Sequence, residues 1–213
     1  TFGWLPAGKS PFLDERVRQA VSMAWDRDSY VDAFYNVSGF RNEGLPVDTY
    51  WNTHLYSGAG AWWLDPKGKD FGPNAKYLEF NISEAKKLLT AAGYPNGVDV
   101  SSSYIGGTQL GADAQRQVGV TDTFAADAGF RVKPNVIDYT AEYIPVIRDG
   151  NGKFDGWGYR AGGSPANDAA ANVRWSFAWR TMRWENSVAA TARLVMGPNT
   201  NVRVGAATAN ATP

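Results

Sequence analysis

The sequence predicts an α/β protein in which a mainly parallel sheet is flanked by helices. Segments with helical spacing of apolar residues are interleaved with segments that alternate apolar and polar residues, in the order helix, loop, helix, strand, helix, strand, helix, strand. This order requires crossover connections, which join parallel strands. The chain has 213 residues, of which 44% are hydrophobic and 20% charged, enough to build a real hydrophobic core.

The first helix is predicted to begin at Asp14, within the stretch SPFLDERVRQAVSMAWDRDSY. The carboxylate of Asp14 can accept hydrogen bonds from the first free N–H groups of a helix. Apolar residues then recur on one face with helical spacing, as a half-buried helix requires. They are Val17, Val21, Ala24, Val31 and Tyr35. The helix is predicted to fade out between Asn36 and Gly39.

Residues 40–75 are predicted to form an ordered loop. They show no sustained periodicity, and aromatic residues stand between many Gly, Pro, Asn and Asp residues. A flexible linker rarely carries so many aromatic side chains. Because ordered loops beside a scaffold often make ligand contacts, Tyr50 and Trp51 are candidate ligand-binding residues.

The second helix carries signals at both ends. Asn81 followed by Glu84 resembles a capping box, Gly93 is placed to end the helix in the left-handed conformation, and Pro95 prevents it from resuming. Residues 98–104 then alternate apolar and polar side chains, which predicts a strand.

The helix and strand pattern is repeated after this point. Residues 109–128 predict a helix that ends at Gly129. Residues 130–138 predict a strand, which Pro134 weakens or confines to the edge of the sheet. A short helix follows in the stretch TAEYIPVIRDG, and Pro145 is expected to cut it.

The last predicted strand is FDGWGYR, residues 154–160, which ends in a Gly-rich turn. Ligands of open α/β sheets lie outside the carboxyl ends of the strands. The stretch from Trp157 to Gly163 is therefore a candidate ligand-binding segment.

Composition narrows the classes of function. The chain carries 21 basic and 21 acidic residues, so its formal net charge gives no reason to expect a nucleic acid or an anionic membrane as partner. It has no cysteine, which excludes disulfides, thiolate metal sites and cysteine nucleophiles. No apolar run is long enough to span a bilayer. The aromatic share of 14% is compatible with core packing and also with a cleft that stacks on flat ligands.

Catalysis is the weaker interpretation of the residues. His54 is the single histidine, and a metal site there would need carboxylates such as Asp48 or Asp65, so we predict no metal and no cofactor. No spacing singles out a pair of carboxylates for glycoside hydrolysis. The paired glycines do not match a phosphate-binding loop.

Three stretches, in order, resemble one known family. RVRQAVSMAWDRDSYVDAFY resembles the "VRQALSYAIDRD" helix of the solute-binding proteins of peptide and nickel ABC importers, known as family 5. ISEAKKLLTAAGYPNG is similar to that family's "AKKLLAEAGYPNG" helix and turn. FDGWGY is similar to the family's strand "FDMALWGW", which borders the ligand cleft. The resemblance covers roughly residues 10–168.

The resemblance implies the architecture of periplasmic binding proteins, in which two lobes close over a solute. Residues 1–171 would form most of the later, C-terminal lobe, so the fold is expected to be incomplete. The first lobe and a secretion signal or lipid-anchored cysteine are expected upstream, which implies a periplasmic or extracellular location. The implied function is capture of a small solute, such as an oligopeptide or sugar, and its delivery to a membrane permease by a monomeric receptor that is not an enzyme.

Two departures from the family pattern qualify this expectation. Peptide binders of the family place an Asp shortly after the cleft Trp, whereas this sequence has Arg160 in that region. We therefore predict Trp157 and Tyr159 as stacking walls and Arg160 as a contact to an anion or hydroxyl group. The second departure is the tail, residues 172–213, which holds five Arg, one Glu and no Lys and resembles nothing in the family. A divergent ending or an altered reading frame would explain that bias.

Two alternatives stay open. The first is a carbohydrate-active hydrolase with an aromatic cleft, which would convert its ligand rather than return it unchanged. The second is a sensor that uses the same fold. A helix-turn-helix upstream of this chain would indicate that function. A single lobe exposes its cleft and hinge surfaces, so we expect the isolated 213 residues to be marginally stable and to bind weakly.

Overall fold

The computed structural model describes residues 1–4, 10–53, 57, 62–107, 112–150 and 152–159. His54, Arg160 and the tail of residues 172–213 lie outside these ranges. Within them, a parallel sheet carries several helices on one face and a single helix, Tyr139–Arg148, on the other. This is the predicted α/β class.

The predicted first helix is three helices in the structure. A 3₁₀ turn, Pro11–Leu13, precedes α1, Glu15–Ala24, and Asp14 caps α1 by accepting a hydrogen bond from the N–H of Arg16 at 2.8 Å. The chain then restarts as α2, Arg27–Tyr35, and as α3, Val37–Asn42. The break before α2 follows from Asp26, because its side chain accepts from the N–H of Ser29 at 3.0 Å and so caps a new helix. Asn36, with φ of 51°, separates α2 from α3.

The second helix, α4, Ile82–Ala91, confirms both predicted end signals. The side chain of Asn81 accepts from the N–H of Glu84 at 3.0 Å, and Gly93 adopts a φ of 95° just after the helix. The buried faces of α1 and α4 pack together. The backbone N–H of Asn81 also donates to the carbonyl of Met23 at 2.8 Å, which ties the start of α4 to α1.

The described residues form a three-stranded sheet in the order β2-β1-β3, with all pairs parallel. The strands are β1, Val98–Ile105, β2, Phe130–Ile137, and β3, Trp157–Gly158. Helix α5, Ala112–Asp127, crosses from β1 to β2. The strand predicted over residues 154–160 is thus much shorter than expected.

Pro134 lies in β2, which is an outer strand of the described sheet, as predicted. An edge strand tolerates a residue without an N–H because one of its sides has no ladder to complete.

The outer edge of β3 is covered by the start of the chain. The N–H of Gly3 donates to the carbonyl of Gly156 and the N–H of Gly158 to the carbonyl of Thr1, both at 2.8 Å. Phe2 thereby bridges Trp157 in antiparallel orientation. Local sequence did not predict this pairing, because Phe2 and Trp157 are separated by most of the described chain.

The helix that Pro145 was expected to cut continues through it, and that prediction was wrong. The segment Tyr139–Arg148 is a π-helix. Hydrogen bonds of this type reach back five residues, as from the N–H of Tyr143 to the carbonyl of Asp138 at 2.8 Å. The wider turn accommodates Pro145, and the buried side chains of Tyr143 and Ile147 hold the helix against the sheet.

Successive residues of the strands face opposite sides of the sheet, and this divides the core in two. The larger core lies under α1, α4 and α5, and includes Val98, Val100, Phe130 and Trp157. The smaller core lies under the π-helix. It contains Ile105, Ile137, Tyr143, Ile147 and Phe154. No helix in the described part of the chain is both long and apolar enough to cross a bilayer.

Candidate functional site

A polar cluster lies where the chain leaves β3, on the face of the sheet that is covered by α1, α4 and α5. Tyr159 directly follows β3, and its N–H donates to the carbonyl of Ser103 at 2.8 Å. Its hydroxyl donates to Oδ1 of Asp122 on α5 at 2.9 Å and shares a short hydrogen bond with the hydroxyl of Thr121. The side chain of Tyr159 is therefore fixed by two polar groups of α5.

The sheet contributes a third partner to this cluster. The hydroxyl of Ser102 in β1 donates to Oδ1 of Asp122 at 3.0 Å, and Ser102 is completely buried. In the sheet register Ser102 lies opposite Trp157. One carboxylate thus joins α5, β1 and the residue that follows β3. We call Asp122, Tyr159, Ser102 and Thr121 the Asp122 cluster.

Burial sets the electrostatics of the Asp122 cluster. It raises the pKa of Asp122 above the ordinary 3.8, and the hydrogen bonds from Ser102 and Tyr159 offset only part of this rise. No lysine or arginine in the described ranges lowers the pKa by its charge. Burial also raises the pKa of Tyr159, with the charge of Asp122 acting in the same direction, so the phenol stays protonated as a donor.

Trp157, predicted as a stacking wall, lies in the larger core. Its side chain is 6% exposed, and its ring centroid lies 5.9 Å from that of Phe12 and 5.8 Å from that of Phe130. A ring enclosed in this way packs the sheet against the helices rather than offering a face to a solute. The indole Nε1 is buried and forms no hydrogen bond of normal geometry in the described structure, although it is directed towards Asp122 and lowers the pKa of that carboxyl group.

Trp51, the second predicted tryptophan contact, lies in a cluster of charges. Its Nε1 donates to Oδ1 of Asp28 at 2.8 Å, and Nζ of Lys67 lies 4.3 Å from its ring centroid. Lys67 also pairs with Asp28 at 3.0 Å. These contacts hold the long loop against α2, so Trp51 has a structural role in the described chain. Tyr50 is more open: it is 48% exposed and meets the ring of Trp63 edge to face at 5.3 Å.

Arg27 ties α2 to its surroundings. Its guanidinium donates to the carbonyls of Leu78 at 2.6 Å and Ser22 at 3.0 Å, and it lies 5.4 Å from the ring of Trp25 and 5.9 Å from that of Trp51. Burial lowers the pKa of Arg27 to about 10, so its charge persists at neutral pH.

A row of aromatic side chains from Trp25 and α2 links the predicted site residues at the end of β3 with those in the long loop. Tyr30 lies near Tyr159, whose pKa it helps to raise, and its ring meets that of Trp25 at 5.6 Å and that of Phe34 at 4.7 Å. Arg27 continues the row from Trp25 to Trp51. Tyr159 and Trp157 therefore pack in the same core, and among the described residues this row connects them to Trp51.

The other face of the sheet holds a cavity of about 250 Å³. Its walls come from β1, β2, the π-helix and the approach to β3. The lining residues are Ser101, Ser103, Asn135, Ile137, Glu142, Val146, Ile147, Phe154 and Asp155. In the described ranges, no group of three or more His, Asp or Glu side chains could hold a metal ion.

Sequence reasoning missed Asp122, although a signal was present. Asp122 falls between Val118 and Ala125 at helical spacing, and both of these neighbours are buried. A carboxylate on the inward face of an amphipathic helix marks a polar site, since such a group is rarely buried without partners. Ser102 gave a weaker signal of the same kind, at the inward position after Val98 and Val100.

Comparison with known proteins places this fold in context. The chain resembles the ABC transporter substrate-binding protein CtaP of Listeria monocytogenes, with a TM-score of 0.57 and 16% identity over 89% of this chain and 36% of that one. It also resembles the ABC transporter-associated periplasmic binding protein DppA of Helicobacter pylori, solved with the peptide STSA, with a TM-score of 0.50 and 21% identity over 83% of this chain and 28% of that one.

The chain thus spans well under half of either structure. Among proteins of curated function, none matches the chain significantly. The sequence model of the bacterial extracellular solute-binding proteins, family 5, matches residues 1–181. The chain therefore belongs to the family 5 bacterial extracellular solute-binding proteins.

Proposed function

We propose that residues 1–171 form part of the C-terminal lobe of a receptor that captures a small solute for an ABC importer, with residues 172–213 as a separate tail. Membership of family 5 and the likeness in fold to two substrate-binding proteins support this proposal. The observation that carries it is the Asp122 cluster, which lies beside the carboxyl end of β3 and continues into the aromatic row of α2.

In this function the solute bridges two lobes and shifts their equilibrium towards the closed form. The free energy of this shift cannot exceed the difference between the binding free energies of the solute for the closed and the open form. Tyr159 and Tyr50 are the proposed contacts from the described ranges, Trp51 supports the loop that carries Tyr50, and Arg160 is the proposed contact to an acidic or hydroxyl group. The closed receptor then docks on a membrane permease, which implies action outside the cytoplasm.

The test is solute-induced stabilisation of the full chain, measured by its thermal transition. The panel contains the tetrapeptide Ser-Thr-Ser-Ala, its N-acetyl form, a neutral disaccharide and a dicarboxylate. We expect a saturable rise in melting temperature with one class of solute, which is recovered chemically unchanged. A panel without any stabilising solute would overturn the proposal, and turnover of the bound solute would favour the hydrolase instead.

A further inference from the structure

The cavity on the π-helix face of the sheet has a polar floor. On this face β1 contributes Ser101 and Ser103 and β2 contributes Asn135, whereas farther along the same strands Ile105 and Ile137 are buried under the π-helix. The volume of about 250 Å³ is just below the roughly 300 Å³ at which pockets for drug-sized ligands begin. The cavity therefore has room for one smaller organic molecule.

The approach to β3 forms one wall of the cavity. Gly156 adopts a φ of 73°, and a Cβ at this position would collide with the carbonyl oxygen of Ser101. Glycine thus lets the residues before β3 lie against β1, which places the buried Phe154 and the exposed carboxylate of Asp155 in the lining. The π-helix supplies a further wall with Glu142, and turns of the π type are frequent at functional sites.

Several polar groups of the lining keep unused hydrogen-bonding capacity. Asn135 donates from Nδ2 to Oγ of Ser103 at 3.0 Å, and Ser103 is only 4% exposed. The hydroxyl proton of Ser103 has no acceptor among the described residues, and the side chains of Ser101 and Asp155 form no hydrogen bond with them. A buried hydroxyl without an acceptor is costly, and a ligand oxygen in the cavity would remove that cost.

The lining carries two carboxylates and, among its described residues, no lysine or arginine. Glu142 accepts from the N–H of Asp138 through Oε2 at 2.9 Å, which leaves Oε1 for a ligand. The cations of the same sheet face are engaged by Asp99, which pairs with Arg131 at 2.9 Å and with Lys133 at 3.9 Å. The cavity therefore offers both donors and acceptors, with acceptors in excess.

We propose that this cavity binds a small neutral polyol, such as a monosaccharide or an inositol. Each hydroxyl of a polyol both donates and accepts, so the ligand donates to Asp155 and Glu142 and accepts from Ser103. A simple cation would satisfy the carboxylates but would leave the buried hydroxyl of Ser103 without an acceptor. The C–H groups of the polyol contact the apolar part of the lining, which includes Val146 and Phe154.

This site lies on the face of the sheet opposite to the Asp122 cluster. The inference therefore goes beyond the proposed function and does not depend on it. A chain that captures its solute elsewhere would still bind a polyol here.

The experiment is a calorimetric titration of the full chain with D-glucose, with myo-inositol and with the diamine putrescine. We expect at least one of the polyols to bind the wild type with a dissociation constant on the order of 1 mM or below, and putrescine not to bind. Asp155→Asn removes a charged acceptor and should weaken polyol binding by about tenfold. The control Asp127→Asn, at an exposed carboxylate of α5, should bind as the wild type does.

A second variant fills the cavity. Ser101→Val replaces the hydroxyl with methyl groups and suits a strand, so it should abolish polyol binding without a loss in melting temperature. The side-chain amide resonances of Asn135, assigned by their loss in Asn135→Asp, report the position of the ligand. They should shift as the polyol saturates the wild type and should stay unchanged in Ser101→Val.

The possible results decide the proposal. If neither polyol binds the wild type, or if polyol binding leaves the Asn135 resonances and the affinity of Asp155→Asn unchanged, the cavity is not a polyol site. Binding of putrescine in place of the polyols would also overturn the proposal, because the carboxylates would then select a cation. The receptor function is tested separately: stabilisation by a solute of its panel that persists in Ser101→Val arises outside this cavity.

Discussion

Asp122 shows how much a single residue on an inward helix face can determine. Its neighbours at helical spacing, Val118 and Ala125, are apolar and buried, whereas Asp122 holds a carboxylate against the sheet. Burial raises the pKa of this group, and no charge among the described residues offsets the rise. Carboxyl groups with a shifted pKa are concentrated at functional sites, where a protein gives up some stability of its fold in order to bind a ligand.

The first prediction concerns the pH dependence of stability. Because the pKa of Asp122 is raised in the folded protein above its ordinary 3.8, its contribution to stability is complete below that value and is lost as the pH rises through the folded pKa. At neutral pH, Asp122→Asn should therefore unfold at the same temperature as the wild type or a higher one. This advantage should vanish below pH 3.8.

The measurement is a series of thermal melts across this pH range, with Asp127→Asn as the control. The control should follow the wild type at each pH, because Asp127 is exposed. A variant Asp122→Asn that is much less stable than the wild type at neutral pH would contradict the prediction. It would mean that the charged carboxylate stabilises the fold.

Trp51 illustrates the limit of predictions from residue type. An aromatic residue in a Gly- and Pro-rich loop can contact a ligand or anchor the loop, and the sequence does not distinguish the two. The structure places Asp28 and Lys67 against its N–H and its ring. Asp28 and Lys67 are 39 positions apart, so no local pattern could have paired them.

At the scale of single elements, α4 is the part that local sequence predicts best. Its start and its end follow from neighbouring residues, and the structure confirms both. The π-helix Tyr139–Arg148 is the opposite case, because Pro145 gives a local signal to stop. Burial of Tyr143 and Ile147 outweighs that signal, and only the folded sheet provides the surface on which they are buried.

The second prediction tests the cap of α4. Asn81→Ala removes the side-chain acceptor for the N–H of Glu84 and should lower the free energy of unfolding by about 1 kcal/mol. Denaturant titration with an unchanged slope would measure this loss. Asn81→Asp keeps an acceptor at the same place and should retain most of the stability. An equal loss in both variants would show that the cap does not account for the effect.

At the scale of the whole molecule, the sheet is completed by the start of the chain. Residues 1–4 add backbone hydrogen bonds to β3 and to the segment just before it, and Phe2 stacks on Phe12 at 4.6 Å in the larger core. Since β3 has only two residues, it depends on pairing on both of its sides. The segment after β3 carries Tyr159, so this pairing also holds the Asp122 cluster in place.

The third prediction follows from this arrangement. Deletion of residues 1–3 removes several backbone hydrogen bonds and the ring of Phe2, and should lower the free energy of unfolding by about 2–4 kcal/mol. Hydrogen exchange should show faster exchange at the N–H groups of Gly158 and Tyr159. Leu13→Ala, at an exposed position, is the control and should change stability by less than about 0.5 kcal/mol. Unchanged exchange after the deletion would show that β3 does not need this partner.

The sequence by itself determined the α/β class, the family and the helix α4 with both of its ends, because periodicity and capping depend on residues close together in the chain. It also predicted a candidate site at the end of β3, where Tyr159 lies. Only the tertiary structure decided which side chains meet at that point. Asp122 and Ser102 come from other elements, Trp157 faces the core, and the strand partner of β3 lies at the far end of the chain. Such contacts depend on the packing of distant segments, which no local pattern encodes.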